Sequence, residues 1–453
     1  MSAFHALEAL PAPLRRLTER IGALAGRNRL RVALVGGAVR DLLFGTPLAP
    51  DAELDVLVEG DGPAFAGLLA LDLHGTLRKH AAFLTARVDW ISPDGTPQHM
   101  DVATARTERY LAAGALPLVS PALLEQDLAR RDFTINAMAI RLDPPYAGQL
   151  LDPFGGQKDL ADRRLRVLHD RSFEDDPTRM FRAARFAARY NLTLDAGTFA
   201  QLVRALPALR RVSGTRIRHE LALVAEERDP AASLVRLGVW GVFAAIHPAL
   251  TPDATCLRLA GRMLSSAPPA PWQTAADPCL LVAYALLYGC PPDALPEAAR
   301  RLGLSAPELR GVRKTLTALA GCTAELAAQL ASPAPRLSAL YALIASLPPE
   351  GLCLLAATAG ESARNLMACA LERGRSMPLS GGDVLALGVP SGIACGQILR
   401  CLCTAWIDGL AGDREALVAL ARRHAAALAA PAGAAQLRGL HPGRLPCTKK
   451  DTV

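Results

Sequence analysis

The chain has 453 residues, 51% apolar and 21% charged, a composition that fits packed domains and excludes a disordered chain. A chain of this length is expected to fold as two or more domains and can bury a large core. Fifty basic residues against 43 acidic ones give a net charge of +7, which is compatible with a nucleic-acid partner and is only weak support for one.

Residues 1–30 read as a helical leader, with Leu7, Leu10, Leu14, Leu17 and Ile21 recurring at helical spacing. The opening MSAFHALEALPAPLRRL has no signal-peptide apolar region, and the run Leu280–Leu287 is too short to span a bilayer. A cytoplasmic protein with no membrane partner is expected. Residues 31–155 read as mixed α/β: an apolar strand into Gly36-Gly37, a helix over Ala38–Phe44 stopped by Gly45, and a strand over Leu54–Val58. A helix follows over Pro63–Leu73. Strands over Phe83–Ile91 and Met100–Ala103 flank a turn at Ser92-Pro93-Asp94-Gly95. A looser stretch over Arg109–Pro121 precedes a helix at Ala122–Ala129, and Arg130–Ile140 reads as opening another.

From residue 156 the pattern becomes helical. A neck over 156–240 includes helices at Phe173–Tyr190, Ala196–Leu206 and Ser213–Glu227. A helical body over 241–375 has Pro-rich breaks at Ala267–Pro271 and Ser332–Pro335, and a tail domain spans 376–428. Residues 429–453 lack apolar periodicity and read as disordered. All ten cysteines lie from Cys256 onward and none forms a CxxC pair, which argues against a zinc site or a disulfide scaffold; Cys401 and Cys403 read as core.

Three stretches carry chemistry. Gly36-Gly37, at a strand-to-helix turn, lets backbone N–H groups approach a phosphate. Glu53 and Asp55, two apart on a strand, share a face and offer carboxylates to magnesium ions, with Asp101 on a later strand as a third candidate. In Arg130-Arg131-Asp132, arginine pairs with phosphate oxygens and the carboxylate accepts from ribose hydroxyls. In Asp175–Phe186, Pro177 reads as a first-turn residue. Asp176 and Arg179 then face one side, as acceptor and fixed two-pronged donor suited to a base edge. Arg179, Arg182 and either Arg185 or Arg189 fall on one face.

Together these stretches resemble the class II tRNA nucleotidyltransferase and bacterial poly(A) polymerase family, whose first motif reads GGxVRDxLLG, a short loop, then DxD. Gly36, Gly37, Val39, Arg40, Asp41, Leu43 and Gly45 match it. The family's first Asp falls on Glu53 after a loop three residues longer than usual, and Asp51 stands as the alternative ligand. RRDFTINAMA resembles the second motif and Asp175–Phe186 the base-selecting one. Val212–Leu221 resembles the neck helix, and Leu379–Leu399, more loosely, the C-terminal region.

The resemblance implies an α+β chain: a DNA polymerase beta-like palm head with a mixed sheet, followed by all-α neck, body and tail. It implies Mg2+-dependent, template-independent transfer from CTP and/or ATP to an RNA 3′ end, most specifically tRNA, with no protein partner. Poly(A) synthesis is the alternative within the family, and a catalytically impaired binding protein is the alternative outside it. Asp55, with Glu53 or Asp51, would hold metal, with Asp101 as a third carboxylate. Gly36, Gly37 and Arg40 would cradle phosphates. Arg130 and Asp132 would hold ribose and phosphates, supported by Asn136. Asp176 and Arg179 would select the base beside Arg182, and Arg185, Arg216 and Arg218 would support the neck or RNA. Each motif alone also has a plain reading, as a tight turn, a solvated strand end or a solvated helix face. His219 reads as structural. The order and mutual spacing of the motifs carry the functional argument.

Overall fold

The computed structural model describes residues 7–109, 118–265, 276–333 and 335–429. Its contacts divide into two compact units, Met1–Thr251 with Arg301–Gly303, and Pro252–Arg300 with Leu304–Val453.

A seven-stranded mixed sheet forms the centre of the first unit. Its strands are β1 (Arg31–Val35), β2 (Leu54–Glu59), β3 (Thr76–His80), β4 (Thr85–Ile91), β5 (Pro97–Thr104), β8 (Ala139–Arg141) and β9 (Leu150–Leu151), while β6 (Arg106–Arg109) and β7 (Leu118–Pro121) form a separate hairpin. The order is β3-β4-β5-β2-β1-β8-β9, and β2–β5 is the parallel pair in an otherwise antiparallel arrangement. Central β1 is apolar on both faces because both are covered. Its Ala33 and Val35 pack with Leu57, Leu124 and Leu128. The leader includes a helix over Ala12–Arg27 that buries Leu14, Leu17 and Ile21 of the expected stripe, and Leu24 besides; Leu7 and Leu10 precede it. The helix Gly62–Asp72 is capped by Asp61, whose side chain accepts from Ala64 N–H, and it buries Phe65 and Leu69.

Three expectations need correction. Arg130–Ile140 does not open a helix. After a single 3-10 turn at Thr134–Asn136 it becomes β8. Phe133, Ile135, Ala137 and Ala139 are all fully buried, and β8 completes the sheet beside β1, so burial outweighs local helix propensity. The helix expected over Phe173–Tyr190 is two helices, Ser172–Asp175 and Arg179–Arg189. Pro177 disfavours helical geometry at the preceding residue, and Asp176 is extended at φ −137° and ψ 96°. The neck also carries a parallel pair, Arg164–Leu165 with Thr193–Leu194, inside a region read as all-α. Edge strand β3 and the β6–β7 hairpin were not legible as strands.

The described part of the second unit is helical, from Ala254–Ser265 to Arg414–Ala429. One core gathers Leu340, Ile344, Leu355 and Met367, and another gathers Val384, Ile398, Leu402 and Leu417. Cys401 and Cys403 are half-buried free thiols, and Cys403 packs against the first of these cores. The expected loop at Ala267–Pro271 and residues 430–453 lie outside the described residues. Among the described residues, no helix is long and apolar enough to cross a membrane.

Candidate active site

A cleft of about 600 Å³ in the first unit is lined by Gly36 and Gly37 at the end of β1 and by Asp55 on β2. Asp55 on β2 is the register partner of Asp101 on parallel β5, and of Val35, the residue before Gly36, on antiparallel β1. Register partners project to the same face, so the two carboxylates stand side by side, about 5 Å apart at the backbone. Chain reversal at Gly36 places the start of the helix Gly37–Phe44 over Asp55. Gly36 has φ +75°, a conformation that favours glycine, and a Cβ there would lie 2.8 Å from Asp55 Oδ2, so any other residue would displace that carboxylate. The leading N–H groups of that helix lie outside its own ladder and open toward the cleft.

Asp55 is open to solvent along the cleft but crowded by protein elsewhere. Desolvation, then the like charges of Glu53 and Asp101, raise its pKa to about 6, with Arg131 opposing them. Glu53 precedes β2, and its Oε1 lies 3.1 Å from His99 Nε2. With Glu53 turned that way, no group of three His, Cys, Asp or Glu side chains is arranged to hold a metal ion among the described residues. The Asp55–Asp101 pair by itself fits a hard divalent cation, which takes one or two carboxylates and completes its shell with water and substrate phosphate. Asp51 is not at this site. It lines another cavity, with Trp90 and Asp94, so this structure does not bring it to the cleft with Asp55.

The second wall comes from Arg130–Asn136. Asp127, fully buried, accepts from Arg130 Nε and Nη2 at 2.9 and 2.6 Å through one oxygen and from Arg131 Nη2 at 3.1 Å through the other. Arg130 Nη1 also donates to Glu108 at 2.7 Å. Asp132 is buried, with one oxygen accepting from Phe133 N–H and Asn136 Nδ2 and the other from Arg182 Nε at 2.7 Å. Burial pushes its pKa up, but Arg182 and Asn136 outweigh burial and hold it below the ordinary value.

Arg40 is buried rather than extended toward solvent. It donates to Asn136 Oδ1 at 2.7 Å and to Asp41 at 3.1 Å, and it stacks over Phe186 and Tyr190 at 5.1 and 4.6 Å. It therefore braces the glycine helix against the neck while lining the cleft.

The third wall holds Asp176 and Arg179, which are joined by a backbone bond from Arg179 N–H to Asp176 O at 3.1 Å while their side chains turn to other partners. Asp176 Oδ1 accepts from Thr178 Oγ1 at 2.8 Å and Arg216 Nη2 at 2.9 Å. Arg179 donates to Ser172 Oγ at 2.6 Å and to Arg130 O at 3.0 Å. Both line the cleft, with Arg182, His219 and Glu220 beside them. Arg185 does not share that face. It joins Arg189 in donating to Glu227, which ties the helix Arg179–Arg189 to the bend that follows the helix Gly214–Ala225. Arg218 donates to Gly303 O, also away from the cleft.

The structure thus gathers Gly36, Gly37, Arg40, Asp55, Arg130, Asp132, Asn136, Asp176, Arg179, Arg182 and Arg216 around one cleft. Sequence reasoning missed Asp127, Glu108 and Glu220. Asp127 had a signal, since it stands three and four residues before the two arginines that follow its helix Leu124–Ala129.

A profile of the poly A polymerase head domain matches residues 32–166. A-adding tRNA nucleotidyltransferase of Halalkalibacterium halodurans is 42% identical over 226 residues, 49% of this chain and 51% of that protein. CC-adding tRNA nucleotidyltransferase of Deinococcus radiodurans is 41% identical over 211 residues, 46% and 54% of the two chains. The match thus spans about half the length of these curated relatives. The structure of the Thermotoga maritima CCA-adding enzyme complexed with tRNA superposes with a TM-score of 0.74 at 28% identity, covering 93% of this chain and 98% of that one. With the motifs in order around one cleft, residues 32–166 match the poly A polymerase head domain, and the chain as a whole is similar in sequence and fold to tRNA nucleotidyltransferases.

Proposed function

We propose that this chain adds nucleotides from CTP and/or ATP to the 3′ end of tRNA, releasing pyrophosphate. The observation that carries the reading is that Asp55, the register partner of Asp101, lies beneath the Gly36 turn and lines the same cleft as Asp176 and Arg179. Asp55 and Asp101, joined by Glu53 once it leaves His99, would hold divalent cations, Mg2+ by preference. Such cations lower the pKa of an attacking hydroxyl and neutralise triphosphate charge.

The chain's own residues supply the rest. Backbone N–H groups at the start of the glycine helix face phosphate oxygens, and Arg130 and Arg131, pre-oriented by Asp127, add positive charge. Asp132 and Asn136 bound the ribose side. Asp176 and Arg179 present an acceptor and a donor to a base edge without a template. The arrangement works by positioning and charge complementarity, the main requirements for phosphoryl-type transfer.

The test uses tRNA transcripts ending before CCA, after C and after CC, with labelled CTP and ATP supplied separately and together. Incorporation on at least one of the three supports the reading, and the pattern names the nucleotide class. Extension of an oligo(A) primer alone would favour poly(A) synthesis. No extension of any primer would overturn both.

A further inference from the structure

We propose that Glu220 is a specificity-determining residue that accepts a hydrogen bond from an amino group on the base of the incoming nucleotide. The inference rests on the reading of the cleft as a nucleotide site and adds a residue to it.

Glu220 is 8% exposed, and its Oε2 is buried without a hydrogen-bond partner. Such a group is costly to keep, because a desolvated oxygen without a donor loses its hydration and gains nothing. Nearly all buried carboxylates in the head and neck of this chain are otherwise satisfied: Asp127, Asp132, Asp143 and Asp159 each accept from named donors. The exception lies in the wall of the cleft, next to Asp176, Arg179 and Arg182. Glu220 also stands one helical turn after Arg216, on the helix Gly214–Ala225. Arg216 reaches into the same cleft to bond Asp176, so the face that carries both residues is aimed at the base-reading wall.

The chemistry of the missing partner follows. The free group is an acceptor, so its partner is a donor. Each arginine of the wall already has an acceptor of its own: Arg182 in Asp132, Arg216 in Asp176, and Arg179 in Ser172 and Arg130. Among nucleobases, adenine and cytosine present an exocyclic amine at the position where hypoxanthine and uracil present a carbonyl oxygen. An amine satisfies Oε2, whereas a carbonyl sets acceptor against acceptor and leaves two buried groups unpaired, the arrangement that gives polar sites their large discrimination. Burial raises the pKa of Glu220 against the opposing pull of Arg182, Arg185 and His219, and an acceptor oxygen persists in either protonation state.

The experiment measures dissociation constants of the full-length protein for ATP, ITP, CTP and UTP by calorimetry without catalytic metal, in wild type, Glu220→Gln and Glu220→Ala. Wild type is expected to prefer ATP over ITP, or CTP over UTP, by at least tenfold. Glu220→Gln, whose amide can turn to donate to a carbonyl, is expected to reduce that preference about tenfold. Glu220→Ala should reduce it less and should not lower the melting temperature, because it removes an unsatisfied group. An unchanged preference in both variants overturns the proposal, as does an equal loss of affinity for all four nucleotides, which marks Glu220 as structural. Failure of wild type to bind any of the four is a separate result that overturns the nucleotide-site reading and the proposal with it.

Discussion

A Cβ at Gly36 would lie 2.8 Å from Asp55 Oδ2, so the turn and the carboxylate beneath it are shaped together. Gly36→Ala combines a disfavoured positive φ with a collision at Asp55. A shift of under 1 Å at such a group is enough to cost on the order of 100-fold in rate. We expect nucleotide incorporation to fall by about that factor while the melting temperature drops by only a few degrees, as for roughly 1 kcal/mol of backbone strain. Steady-state kinetics and thermal melts of the purified variant check both.

The Asp55 pKa of about 6 has a sign that can be tested. A carboxyl whose folded pKa lies above its unfolded value favours the fold when protonated. The metal-free protein should therefore lose stability as pH rises from about 4 to about 6, the interval between the unfolded value and the folded one. In EDTA, Asp55→Asn should melt above wild type at pH 7.5, with the difference shrinking below pH 5. Added Mg2+ should stabilise wild type and leave Asp55→Asn unmoved.

Asp132 has the opposite sign. Its lowered pKa means that the Arg182 contact stabilises the fold above the unfolded pKa of about 4, and that this contribution is lost as pH falls through the lower folded value. Arg182→Ala leaves a buried carboxylate with fewer donors. The cost should be about 2 kcal/mol, below the fully buried range because the Arg182 side chain is 39% exposed. In a double-mutant cycle, the combination with Asp132→Asn should cost clearly less than the sum of the single changes.

Asp127 should be the most sensitive carboxylate of the head. It is fully buried and holds Arg130, Arg131 and the Arg106 N–H. Asp127→Ala leaves two arginines without their main partner and should destabilise by about 3 kcal/mol. Denaturant unfolding measures this directly, and ATP affinity should fall with it.

The parts of the site legible in the sequence were those set by local pattern. Gly36-Gly37 between apolar runs could be read as a turn, and Asp55 inside an apolar strand stands out because Leu54, Val56 and Leu57 are buried around it. What could not be read depended on distant partners. The choice between Glu53 and Asp51 lay in a loop without periodicity, and only the fold shows Asp51 beside Trp90. β8 has residues that suit a helix, and its strand state comes from pairing with β1. The break at Pro177 did have a signal, the restriction that proline places on the preceding residue, but the apolar rhythm on both sides masked it. Arg40 was assigned to phosphate because nothing local shows that Asn136, Phe186 and Tyr190 surround it.

The central claim is that Asp55 and Asp101 together form the reaction centre. The most direct test measures labelled ATP and CTP incorporation into tRNA lacking its 3′ end, by wild type, Asp55→Ala and Asp101→Ala, with ATP affinity measured alongside. The account predicts a loss of at least about 1,000-fold in incorporation for each variant, the scale of removing a group that acts only in the transition state, with ATP affinity retained. Incorporation near the wild-type rate in either variant would contradict it.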